Sequence, residues 1–241
     1  MDHNPTLSRR AALALGAGTL LAPRFAIAAP AHPVLIELFT SQGCSSCPPA
    51  DKNAAELAKD PDNLIVSFNV DYWDYLGWRD TLAKPEYSQR QYDYAKSRGD
   101  GSVYTPQMVI NGTTHAVGSN LRDVKSRMAE AAAPAVKLSL NITAKDISVE
   151  IPKQDYAGDA TLWLMAIEKQ VTQKIRRGEN AGKDVVYINV VRNLVPAAMW
   201  KGEAYRGSWM RNAVMPHNCK SCIAVLQQNN VGPVMGIARY G

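Results

Sequence analysis

The sequence predicts an α/β chain: a mixed β-sheet with flanking helices, followed by a C-terminal antiparallel, β-rich, sandwich-like region. Three observations predict it. Short apolar runs alternate with helical patterns from Val34 to about Ala133. From Pro134 onward the hydrophobic period becomes two. A Cys-x-x-Cys pair, Cys44 and Cys47, stands where the first apolar run gives way to the first helical pattern.

In order, His32–Phe39 reads as a buried strand and Thr40–Gly43 as a loop. Cys47–Lys59 reads as a helix, since Pro48 and Pro49 are tolerated in a first turn and Pro61 ends the pattern. Leu64–Val70 is a second buried strand. A polar, aromatic-rich segment with Tyr72, Trp73, Tyr75 and Trp78 follows, and Glu86–Arg98 is helical. The aromatic residues suit the packing of a long loop better than a polypeptide groove. Gln107–Ile110 is a strand, and Asn111-Gly112 turns it into Thr113–Val117, because that turn type needs positive φ at both central residues. Asn120 caps a last helix, Leu121–Ala133. The first three strands, joined by helical crossovers, are expected to be parallel.

Beyond Pro134, Val136, Leu138, Leu140 and Ile142 alternate with polar residues, as do Ile147, Val149 and Ile151. Further strands are expected at Thr161–Glu168, Val185–Arg192, Tyr205–Val214, Ile223–Gln228 and Val234–Arg239. Gly178–Lys183 falls one residue short of a phosphate loop and reads as a turn between two of them.

The 241 residues carry a net charge of +5, with 46% hydrophobic and 20% charged residues. That balance excludes a mainly disordered chain. Residues 1–28 read as an export signal. Arg9-Arg10 precedes an apolar run, Ala11–Ala22, too short to span a membrane, and Ala26-Ile27-Ala28 supplies a cleavage site. The remainder divides into 29–133 and 134–241, with no membrane span after cleavage. No basic run interleaved with aromatics points to nucleic acid. A periplasmic or secreted location is expected.

Such a compartment oxidises thiols. Closing the short Cys44–Cys47 loop stabilises by only ~2 kcal/mol, against ~5 for a bridge from Cys47 to Cys219. Local Cys-x-x-Cys bridges therefore suit redox exchange or metal binding better than stapling. Cys44, at the start of the helix, is expected to hold a stabilised thiolate and act as nucleophile. Cys47, one turn on, is the less accessible resolving thiol. Thr105-Pro106 stands at a strand start, where proline is allowed.

The run Glu37–Asp51 (ELFTSQGCSSCPPAD) resembles the signature of domain-of-unknown-function family 1223, a secreted bacterial family of the thioredoxin-like superfamily. The likeness continues through Val70–Trp73, Thr105–Gln107, Gly178–Gly182 and Gly232-Pro233. It implies a thioredoxin-like fold, Cys44 as nucleophile, Cys47 as resolving thiol and Pro106 as a cis-proline facing them. Gly43 and Ser45-Ser46 depart from the thioredoxin pattern and leave the direction of electron flow open. Glu37 either takes the place of the superfamily's buried acid, accepting the resolving thiol's proton, or bonds locally.

The second pair, Cys219 and Cys222, forms a local disulfide, exchanges with the first pair, or joins His217 in a copper or zinc site. The sequence thus points to an exported thiol–disulfide oxidoreductase without cofactor, acting on thiol- or disulfide-containing periplasmic proteins. The alternative is a copper-binding or partner-docking module on the same fold.

Overall fold

The computed structural model describes residues 1–2 and 32–241, so the export signal expected over residues 1–28 lies, but for its first two residues, outside them. The first half runs β1 (Val34–Thr40), α1 (Pro48–Leu57), β2 (Asn63–Asn69), α2 (Pro85–Arg98), β3 (Gln107–Ile110), β4 (Thr114–Val117) and α3 (Leu121–Glu130). Proline opens α1 and α2, where its missing N–H costs nothing, and Gly99 ends α2 with φ +74°. Asn120 Oδ1 accepts the Asp123 N–H at the start of α3. Asn111 and Gly112 have positive φ, as the β3–β4 turn requires. A Cβ on Gly112 would collide with the Gly232 carbonyl.

The second half runs β5 (Ser139–Ile142), β6 (Asp146–Ile151), β7 (Ala160–Lys174), β8 (Asp184–Trp200), β9 (Tyr205–Met210), α4 (Arg211–Val214), β10 (Ser221–Gln228) and β11 (Val234–Tyr240). Eight strands form one sheet in the order β11-β10-β7-β8-β2-β1-β3-β4, and β5-β6-β9 form a second. The large sheet therefore crosses from one half of the sequence to the other. Its seam is β2 beside β8, a parallel pairing at Ser67 and Val190. Side chains reinforce it: Ser67 Oγ donates to the Ile188 carbonyl, and Asn189, at φ +45°, donates to the Ile65 carbonyl.

One strand direction differs from expectation. β1 and β2 are parallel, but β3 is antiparallel to β1. β2 leaves and β3 enters the sheet at the same end, since Asn69 pairs with Thr40 and Gln107 with Phe39. The connection combines a long loop with α2, and its net travel along the strand direction is nil.

The alternation of β1 sorts the core. Val34, Ile36 and Leu38 meet Ala50, Ala54 and Leu57 of α1 and Val124 and Met128 of α3. Leu35 and Phe39 face the other way, toward Phe68, Tyr87 and Tyr94 and toward Val225 and Val234 of the second half. The rings of Phe39, Phe68, Tyr87 and Tyr94 stack or meet edge-on at 5.1–6.2 Å between centroids, a geometry that adds ~0.5–1.5 kcal/mol per pair.

Candidate functional site

Cys44 and Cys47 are joined as a disulfide, with their Cα atoms 5.4 Å apart. The loop that carries them leaves β1 and turns twice before α1: Cys44 N–H donates to the Ser41 carbonyl and Cys47 N–H to that of Cys44, each at 3.2 Å. Cys47 is the N-cap of α1, so Cys44 lies a full turn ahead of the helix rather than in it. Cys44 is as hidden as its partner, 1% against 0% exposed, contrary to the expectation of an accessible nucleophile. Ser45 and Ser46 between them are exposed. The Ser46 hydroxyl lies 3.4 Å from Cys44 Sγ.

Three neighbours fix this loop. The first is Trp73, which links the loop to the Thr105-Pro106 turn, whose peptide bond is cis. The Pro106 carbonyl accepts from Gly118 N–H, and Gly118 lies against Ala50 in the first turn of α1. Trp73 stands between the two motifs: its Nε1 donates to Thr105 Oγ1 at 2.8 Å, and its Cβ and carbonyl press on Gly43. A side chain larger than hydrogen at position 43 would meet Trp73 at 3.0 Å.

The second neighbour is the segment after β2. Trp78 Nε1 donates to Gln42 Oε1 at 2.7 Å. Asp80 accepts from the Gln42 N–H at 2.8 Å, from Asn69 at 2.9 Å and from the Leu82 N–H at 2.8 Å. Burial pushes the Asp80 carboxyl above the usual range against those hydrogen bonds. The third is the tip of the β7–β8 hairpin, the turn expected at Gly178–Lys183. Asn180 Nδ2 donates to the carbonyls of Gln42 and Cys44, and Glu179 accepts from Ser45 N–H.

Glu37 is not part of this arrangement. Strand parity puts it with Leu35 and Phe39, on the sheet face opposite α1. There it is bound by Arg90 through two hydrogen bonds of 2.7 Å and by the Tyr94 hydroxyl at 2.8 Å. Arg90 also reaches Gln227 and lies over the rings of Phe68, Tyr94 and Trp163. Both charges are almost wholly buried, so each depends on the other. Glu37 anchors the fold; it does not serve the dithiol.

The acid on the dithiol side is Asp51, in α1. It lies four residues after Cys47, and its N–H donates to the Cys47 carbonyl. Thr40 Oγ1 donates to one carboxylate oxygen at 2.9 Å, while the other oxygen is buried without a partner. Burial pushes its pKa up to about 8, with Thr40 opposing and Asp80 adding to the shift. The signal was available in the spacing: positions four apart on a helix share a face. A second feature missed from sequence is His115, which bonds Tyr104 at 2.7 Å and Asp100 at 3.2 Å beside the cis-proline turn.

Cys219 and Cys222 are free thiols, so the local bridge expected between them is not formed. Both lie in the apolar core of the second half, with Leu164, Trp200 and Leu226. Burial pushes Cys219 up to about 11 and Cys222 up to about 12. Among the described residues no group of three or more His, Cys, Asp or Glu side chains is arranged to hold a metal ion, His217, Cys219 and Cys222 included. Among the same residues no helix is long and apolar enough to cross a membrane.

Comparison with known proteins places this geometry. No curated protein matches the chain. The structure of protein AGR_C_4864 from Agrobacterium tumefaciens superposes with a TM-score of 0.74 at 29% identity, covering 88% of this chain and 95% of that one. HBP35 of Porphyromonas gingivalis gives a TM-score of 0.61 at 10% identity, over 87% and 74% of the two chains, a likeness of fold alone. The model of a protein family of unknown function, DUF1223, matches residues 35–227, from the first strand through the buried Gln227, and the chain belongs to that family.

Proposed function

We propose that this protein is an exported thiol–disulfide oxidoreductase of thioredoxin-like type, with Cys44 and Cys47 as its redox couple and other thiol- or disulfide-containing proteins as partners. The observation that carries the reading is the Cys44–Cys47 disulfide at the entry to α1 with a buried carboxyl one helical turn behind it. A local clip of this size adds little stability, so stapling is a weak reason for so much surrounding structure.

In the reductive half of the cycle a partner thiolate attacks Cys44 Sγ. The Cys44–Cys47 bond breaks, a mixed disulfide forms, and Cys47 leaves as a thiolate that takes up a proton. The partner's second thiol loses its proton and attacks its own mixed sulfur, which frees Cys44. Two electrons pass from partner to protein; counted from the partner's dithiol, two protons pass as well, one to Cys47 and one to the freed Cys44 thiolate, and the reverse sequence oxidises a partner. Asp51, with a pKa near neutrality, is suited to hold the proton that Cys47 gains and loses. Pro106 shapes the surface presented to the partner.

The test is equilibration of the purified protein with defined glutathione or dithiothreitol buffers, with the Cys44/Cys47 state read by alkylation. A defined midpoint is expected, near about −270 mV for a reductant or about −120 mV for an oxidant. A Cys47→Ala variant should trap mixed disulfides with exported proteins. A disulfide that equilibrates with no thiol buffer until the chain unfolds would refute the reading and leave a structural clip.

A further inference from the structure

The tip of the β7–β8 hairpin holds the dithiol loop by hydrogen bonds, while Gly178 lies close to Trp78 and the Leu76 carbonyl. Asn180 is 1% exposed. Both its amide hydrogens are used on that loop, at 2.9 Å to the Gln42 carbonyl and 2.8 Å to the Cys44 carbonyl, while its Oδ1 accepts from Lys183 at 2.8 Å. Glu179 adds a bond from Ser45 N–H at 3.2 Å. The residues around Asn180, from Arg176 to Glu179 and from Ala181 to Asp184, are exposed. Apart from Asn180, then, the tip has no buried seat. Below it the hairpin is anchored firmly, with Ile175 and Val185 buried beside Tyr187 and Val190. Gly178 and Gly182 bracket the tip at φ +77° and +84°, so each end of it rests on a residue of high conformational freedom.

Against this stands the burial of the disulfide. Exchange needs a thiolate to approach a sulfur of the bond it breaks, and both cysteines are shielded. We propose that the hairpin tip is a gate on the Cys44–Cys47 disulfide, with Asn180 as its latch and Glu179 as a weaker second hold. Asn180 is a positioning residue: it acts on the loop backbone and touches no reacting atom. The inference rests on the redox reading of the pair, but it makes a separate claim, that the tip must lift before a thiol exchanges. The energetics are suitable for a gate: the hold on the loop is a few polar bonds, and the hairpin base need not move.

The experiment is the rate of reduction of the oxidised full-length protein by dithiothreitol under native conditions, for wild type, Asn180→Ala, Glu179→Ala and Glu179→Gln. Each hydrogen bond contributes about a fivefold factor at its typical net worth. Asn180→Ala is therefore expected to accelerate reduction about 10- to 30-fold, and Glu179→Ala about 3- to 5-fold. Glu179→Gln keeps an acceptor for Ser45 N–H and should stay near the wild-type rate. Protection of Cys219 and Cys222 from alkylation must remain at the wild-type level, which distinguishes a lifted tip from a loosened fold. If Asn180→Ala fails to fold, the two Glu179 variants decide. Unchanged rates in the variants, with a wild type that equilibrates with dithiothreitol, overturn the gate and leave the oxidoreductase reading standing. A wild type that resists reduction while Asn180→Ala is readily reduced supports the gate and counts against the redox role. Resistance in both until global unfolding overturns both.

Discussion

Replacing Asp51 by Asn should change how the stability of the protein depends on pH. In the unfolded chain this carboxyl titrates at its ordinary 3.8, and burial raises it to about 8 in the folded one. Between those values the folded state holds a proton that the unfolded state has released. Stability therefore falls as pH rises, by about 1.4 kcal/mol per pH unit, and levels off above about pH 8. Over the ~4 units the loss reaches up to about 6 kcal/mol. Asn is nearly isosteric with the protonated carboxyl, keeps an oxygen for the Thr40 hydroxyl, and carries no titrating proton. Asp80, also raised by burial, contributes in the same direction in both proteins, so the difference between them reports position 51 together with its coupling to Asp80. Urea unfolding followed by circular dichroism at intervals from pH 4 to 8.5 gives the two curves. They should meet near pH 4 and diverge steadily, with Asp51→Asn the more stable at pH 8 by several kcal/mol. Parallel curves would show that Asp51 ionises normally in the folded protein, and the proposed proton store behind Cys47 would go with it.

Further outcomes follow from other buried groups. Arg90→Met leaves the Glu37 carboxylate buried without its guanidinium partner and should cost ~3–5 kcal/mol in denaturant unfolding; adding Glu37→Gln should recover part of that loss, and no recovery would refute the pairing argument. Cys219 and Cys222, with pKa values raised to about 11 and about 12, should resist iodoacetamide at pH 8 in the native protein and react promptly once it is unfolded. Rapid native labelling of either would contradict the placement of the pair in the second core.

Local chemistry made much of this fold legible. Asn111-Gly112 announced its turn through the need for positive φ, and Pro48 and Asn120 marked helix starts within a residue or so. Two kinds of feature escaped. The first was strand length: β7 and β8 run to 15 and 17 residues because their outer ends are partly exposed and read as polar loop, with Pro196 inside β8. The second was the function of side chains that act far along the chain. Asn180 reaches Cys44 across 136 positions and Arg90 reaches Gln227 across 137, and no local pattern encodes such a pairing. Asp51 escaped notice for a third reason. An acid in a strand of apolar residues attracts notice, whereas an acid in an amphipathic helix looks solvated until the helix is docked.

The sharing of Arg90 between Glu37 and Gln227 has a consequence for the order of assembly. A nascent chain that has emerged only as far as α3 holds both Glu37 and Arg90 but lacks the tenth strand that encloses them. Water would still reach that ion pair, and the aromatic side of the first strand would lie open. Maturation of the cysteine-bearing layer must therefore wait for residues synthesised almost last, so a chain released before completion carries an unfinished, pliable half rather than a closed one.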